Sequence, residues 1–135
     1  MLLEGRVAIV TGGGRGIGAG ISRVLAGEGA AVAVVYSVSK DKAEAVADEI
    51  EKGGGRAQAF RADVRDAAAV QAMTDAVGGA FGRVDGLINN AIGGRQDGSF
   101  DEITWDNYAN MLDFGCKAVF NTVKAVRPVM KQQGT

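Results

Sequence analysis

The stretch VAIVTGGGRGIGAGI, residues 7–21, passes from an apolar, β-branched run through a glycine-rich turn into residues that already recur at helical spacing. Strand, turn and helix in that order place a helix N-terminus, with its free N–H groups and a partial positive charge of about half an electron, directly after the turn. Such a turn is a cradle for a phosphate, and side chains in it would block the approach of the anion. The spacing Thr11-Gly12-x-x-x-Gly16-x-Gly18 departs from the standard dinucleotide pattern G-x-G-x-x-G. Gly14, Gly16 and Ala19 fit a looser form of it, but only the register beginning at Gly12 has a glycine immediately after the strand.

Outward from this stretch the same alternation continues. Residues 6–10, 31–36, 56–60 and 84–89 read as strands. Between them Ile17, Ile21, Val24 and Leu25, then Ala43, Val46, Ala47 and Ile50, then Val70, Met73, Val77 and Phe81 recur with helical period. Nearly continuous apolar strands separated by helices predict a parallel sheet covered on both faces, a doubly wound α/β fold of the Rossmann type. Glycines cluster at the joints (GEGA, EKGGGR, GGAFGR), which accounts for much of the unusual total of 21 in 135 residues. Residues 1–135 are expected to form one domain or a piece of one, with no internal linker or repeat.

Composition narrows the function classes. Fifteen basic and sixteen acidic residues, mixed along the chain, give a net charge of -1 and no footprint for nucleic acid or an anionic membrane. The lone cysteine excludes an internal disulfide, and the absence of histidine removes the commonest metal ligand and catalytic base, so no metal site is expected. The start MLLEGRVAIV has no secretory pattern and no apolar run reaches the ~20 residues of a membrane span, so a soluble, cytoplasmic protein is expected.

From about Asp101 to Gln133 the chain reads as one long helix. Its large apolar residues spread round more of the surface than a single sheet-facing stripe needs, which predicts a second buried face against another subunit. Pro128 predicts a kink or break near Arg127, and Gly134 a C-cap. Cys116 is expected to be a small packed thiol. Asp85, Asp97 and Asp101 are expected in loops and caps.

TGGGRGIG (11–18), ADV (62–64) after the third strand, NNA (89–91) after the fourth, and the following WDNYANMLDFGCKAVFN together resemble the classical short-chain dehydrogenase/reductase family over the whole chain. The resemblance is to its N-terminal half, as in 3-oxoacyl-carrier-protein-reductase-like members. It implies that Gly12, Arg15, Gly16, Ile17 and Gly18 wrap the pyrophosphate and adenosine of a nicotinamide dinucleotide, that Asp63 and Val64 flank the adenine, and that Asn89 and Ala91 line the nicotinamide-side ribose. It also implies hydride transfer between the cofactor and a small carbonyl or alcohol substrate.

Cofactor choice can be read from the tip of the second strand, where an acid holds the 2′-hydroxyl of NAD and a basic or hydroxyl group accepts the 2′-phosphate of NADP. The tip is YSVSK, with Ser37 and Lys40 and no acid before Asp41, and Arg15 can reach the same phosphate. NADP(H) is therefore preferred, with NAD(H) the alternative. Ser39 is also placed to cap the second helix.

Tyr36-x-x-x-Lys40 matches the family's catalytic tyrosine/lysine spacing but straddles a strand end, whereas that pairing needs one helical face. Two departures from the family stand out: Ile92 replaces the glycine of N-N-A-G, and Gly115 occupies the position of the helix asparagine of the proton relay. Glycine inside a helix costs about 1 kcal/mol, so it signals a close approach or a local break.

The family's serine and tyrosine/lysine pair belong to elements that would follow Thr135, so the expected protein is the cofactor-binding half of an oxidoreductase, inactive alone. The alternative is a non-catalytic nucleotide-binding or protein-interaction module. A strand order of 3-2-1-4 would leave the fourth strand an apolar edge, which again predicts a homo-oligomer or another partner chain.

Overall fold

A computed structural model describes residues 1–93 and 98–135; Asp97 lies outside the described residues. The chain runs β1 (Val7–Thr11), α1 (Gly16–Gly27), β2 (Ala31–Tyr36), α2 (Lys40–Lys52), β3 (Arg56–Arg61), α3 (Ala67–Phe81), β4 (Gly86–Ile88), α4 (Trp105–Leu112), a π-helical turn (Asp113–Lys117) and α5 (Ala118–Gln133). The strands lie in the order β3-β2-β1-β4, all parallel, with Val7 level with Ala31 and Ala8 level with Gly86.

Strand periodicity sorts the core into two layers. Val7, Ile9, Ala31, Ala33 and Val35 face α3 and α5, where they meet Val70, Met73, Val77 and Val126. Val10, Val32 and Val34 face α1 and α2, against Ala19, Ala26, Ala43, Val46 and Ile50. Both faces of β1 and β2 are buried, which is why these strands read as unbroken apolar runs rather than alternating ones.

The fourth strand is shorter than its sequence suggests, and a side chain explains its start. Gln133, in the last turn of α5, accepts from the Val84 N–H through Oε1 at 3.0 Å and donates from Nε2 to the Val84 carbonyl at 2.8 Å. The amide imitates a neighbouring strand, so Val84 is fully buried yet outside the ladder. Replacing Gln133 with Leu would strand both groups; we expect a loss of about 2 kcal/mol and a fall of roughly 6–10 °C in melting temperature.

Asp85 is more than the simple loop residue expected. Its carboxylate, 8% exposed, accepts from the Val7 N–H at 2.9 Å, from Arg83 at 2.6 and 2.7 Å and from Arg6 at 3.2 Å, so it ties the foot of β4 to the foot of β1. The Arg83 guanidinium first, helped by Val7 and Arg6 and opposed by burial, pulls its pKa down to about 2. A depressed carboxylate stabilises the fold fully above its unfolded pKa, near 4, and the gain disappears as pH falls through about 2. Acid titration of stability should therefore lose up to about 2 kcal/mol across that window, and Asp85→Asn should flatten it.

The long helix does not break at proline. Pro128 sits inside an uninterrupted α5, on an exposed surface together with Lys124, whose carbonyl, left without its usual donor, can be met by water. The irregularity falls instead at Asp113–Lys117, where one π turn carries Gly115 at its middle. A Cβ on Gly115 would meet nothing within 4 Å, so this glycine marks a local break and not a close approach. Gly134 adopts the left-handed conformation (φ 78°) and closes α5 as a C-cap, with Thr135 N–H donating to Met130 O. Cys116 is exposed rather than packed.

Candidate cofactor site

The glycines of residues 12–18 are required for different reasons. Gly12 has φ +62°, and a Cβ there would lie 3.1 Å from the Ala91 Cα. At Gly13 it would meet Val10 O at 2.8 Å, and at Gly14 the Ala43 backbone at 2.8 Å, so these two let the loop press against β1 and α2. At Gly18 it would overlap the carbonyl oxygen of Gly12. Gly16 is different: φ is +54° and the space beyond it is open. The loop is thus held tightly from behind and left bare in front, at the N-terminus of α1, where an anion is favoured.

Behind the loop, Thr11 and Asn90 form a tether. Thr11 Oγ1 donates to Ile88 O (3.2 Å) and accepts from the Asn90 and Ala91 N–H groups (both 3.0 Å). Asn90 Nδ2 donates to Thr11 O at 3.0 Å and Gly12 O at 3.1 Å. Five bonds therefore lock the end of β4 to the end of β1 and the first glycine.

At the C-terminal ends of the strands lies a cavity of about 510 Å³. Gly12, Arg15, Gly16 and Ile17 of the loop line it, as do Ser37, Val38 and Ser39 beyond β2, Ala62, Val64 and Arg65 beyond β3, Ala91, Ile92 and Gly93 beyond β4, and Phe114 of the π turn. Ligands of open α/β sheets bind at this end. Among the described residues, no carboxylate lines it.

The remaining expected residues sit elsewhere. Gly18 is buried beneath the loop. Lys40 opens α2 with its Nζ 3.7 Å from Glu44, off the cavity wall. Asn89 lines a smaller pocket of about 150 Å³ beside Thr11, Phe114 and Gly115, and its Oδ1 accepts from Thr122 at 2.6 Å. Asp63 is turned to Arg65, which donates to both carboxylate oxygens (3.0 and 2.8 Å) and holds the carboxyl below its usual range against a smaller effect of burial. Tyr36 ends β2 while Lys40 begins α2, so the two share no helical face. Ser39 occupies the N-cap position of α2 but makes no side-chain capping bond.

Several residues of the site went unread in the sequence. Arg65 also donates to Asn110 Oδ1 at 2.8 Å and lies 4.6 Å over the Phe114 ring, joining the β3 end to α4 and the π turn. Arg61 donates to the Ser37 carbonyl at 3.3 Å, adding a cation near the β2 tip. Buried Asn121 donates to Val64 O at 3.0 Å.

A family model described as short chain dehydrogenase matches residues 6–135. This chain belongs to that family. It is 42% identical over 126 residues to the 3-oxoacyl-[acyl-carrier-protein] reductase of Staphylococcus aureus, covering 93% of this chain and 51% of the relative. It is 38% identical over 133 residues to an uncharacterized oxidoreductase of Methylorubrum extorquens, covering 98% and 53%. The short-chain dehydrogenase/reductase fold matches a Burkholderia cenocepacia short chain dehydrogenase solved in complex with NADP (TM-score 0.89, 43% identity, 96% of this chain and 52% of that one). It also matches a metagenomic short-chain oxidoreductase in complex with NADP (TM-score 0.90, 34% identity, 98% and 60%). The chain spans about half the length of the curated relatives it matches. Among the described residues no helix is long and apolar enough to cross a membrane.

Proposed function

We propose that this chain is the cofactor-binding half of an NADP(H)-dependent oxidoreductase that moves hydride between nicotinamide and a small carbonyl or alcohol. The observation that carries the reading is the polarity of the cavity wall: Arg15, Ser37, Ser39 and Arg65 line it, and among the described residues no acid does. A 2′-phosphate at the β2 tip would meet hydroxyls, with Arg15 on one side and Arg61 bonded to the Ser37 carbonyl, whereas a bare 2′-hydroxyl would find no acceptor carboxylate among the described lining residues. The open face of Gly16 fits a pyrophosphate, since a cradle that a side chain would fill is left empty there.

Bound nicotinamide would supply or accept the hydride. The chain's own residues bind and orient it: the glycine loop receives the diphosphate, Val64 and Ala91 offer apolar contact, and the Thr11–Asn90 tether fixes the walls. Gly115 contributes no side chain to a proton relay, and among the described residues no tyrosine and lysine share a helical face. We therefore expect binding without turnover. Fluorescence titration with NADPH and NADH tests the reading: saturable NADPH binding at least ten-fold tighter than NADH supports it, and no saturable NADPH binding removes it.

A further inference from the structure

Strand order says which part of a long ligand each loop of the cavity meets. On the cofactor reading proposed above, the diphosphate lies at the glycine loop beyond β1 and the 2′-phosphate at the β2 tip. The base carried by that ribose then continues outward to the end of β3, the next strand in the order β3-β2-β1-β4. The wall there is made by Ala62, Val64 and Arg65. Asp63, although it stands between them in sequence, is not among the described lining residues.

The Asp63 carboxylate is already taken by Arg65. Its Oδ1 accepts from the Arg65 Nε and backbone N–H, both at 3.0 Å, and its Oδ2 from Nη2 at 2.8 Å. The third guanidinium nitrogen, Nη1, donates to Asn110 Oδ1 at 2.8 Å, and the Phe114 ring lies 4.6 Å from the guanidinium carbon. All three nitrogens and one face of the group are thereby engaged, so what Arg65 offers the cavity is its other face. A planar cation fixed on three sides is a platform for a flat aromatic ring. The carboxylate, for its part, is held by charge-assisted bonds roughly twice as strong as those a neutral amino group could offer in exchange. We infer that Arg65 holds the base of the dinucleotide by stacking, that Asp63 serves to fix Arg65 and not to read the base, and that the site therefore accepts a purine with either an amino or an oxo group at its 6-position. Val38 and Val64, on the same wall, add apolar contact to the ring.

The probe is reduced nicotinamide hypoxanthine dinucleotide phosphate, which is NADPH with an oxo group in place of the 6-amino group. Fluorescence titration of the whole 135-residue chain should give dissociation constants for the two compounds within about two-fold of each other, whereas a site built on a hydrogen bond to the amino group would reject the analogue by at least about ten-fold. Arg65→Lys keeps the charge and removes the plane, and should weaken both compounds about ten-fold. Asp63→Asn should also weaken both, and by equal factors, because it loosens the platform. The ratio of the two constants is independent of how much of a variant is folded, since unfolded chain binds neither compound. A native preference for NADPH of ten-fold or more, or an Asp63→Asn loss confined to NADPH, would show that the carboxylate reads the amino group and would overturn the inference. Unchanged binding in Arg65→Lys would overturn the stacking. If NADPH shows no saturable binding to the native chain, the cofactor reading itself falls and this inference with it.

Discussion

Gly18→Ala should reduce NADPH affinity by at least about 100-fold and cost more than about 2 kcal/mol of stability. The added methyl would overlap the Gly12 carbonyl oxygen and come within 2.5 Å of Asn90 Nδ2. It meets backbone on one side and the tether on the other, so neither can yield without moving the loop. Two neighbours serve as controls in calorimetry and cofactor titration. Gly20→Ala, with open space around it inside α1, should be neutral or stabilising by about 0.5–1 kcal/mol. Gly16→Ala should cost about 1–2 kcal/mol of stability through its positive φ, and should weaken binding because its methyl projects into the open space. Equal effects at all three positions would show that helix propensity, not loop geometry, governs this segment.

The second large effect is expected from Ser37→Asp. A carboxylate at the β2 tip repels a 2′-phosphate, and at about 4 Å with an effective dielectric near 20 the repulsion reaches several kcal/mol before screening. NADPH binding should fall about 100-fold while NADH binding holds or tightens, because the new carboxylate can accept the ribose hydroxyls. Titrating both cofactors at one ionic strength gives the ratio. If the two affinities fall together, the β2 tip does not face the phosphate.

Much of the architecture was legible because it rests on local patterns. Fully buried strands in β1 and β2 leave unbroken apolar runs, and the helix stripes of α2 and α3 matched the buried residues Ala43, Val46, Ala47, Ile50, Val70, Met73 and Val77. The 3-2-1-4 strand order was likewise found. What failed to show in the sequence depends on distant partners. The truncated start of β4 follows from Gln133, which is 49 residues away from Val84. Pro128 pointed to a break that an exposed, hydrated surface tolerates, while Gly115 marked the true irregularity. At the site, the glycine loop was readable from spacing. Asn90 was passed over between Asn89 and Ala91, because a repeated residue gives no hint of which copy turns toward the loop. Arg65 and Arg61 were missed since an arginine's reach cannot be read from its position in a run.

The tether of Thr11 and Asn90 also bears on how a long ligand would be felt. The two side chains join the wall proposed to receive the diphosphate to the wall proposed to lie beside the opposite ribose, so a displacement of either wall is transmitted to the other through bonds of 3.0 to 3.2 Å. Fragments corresponding to the two ends of a dinucleotide should then bind with positive cooperativity, the first ordering the wall that the second needs. Cutting the grip with Asn90→Ala would turn one cooperative receptor into two independent, weaker ones.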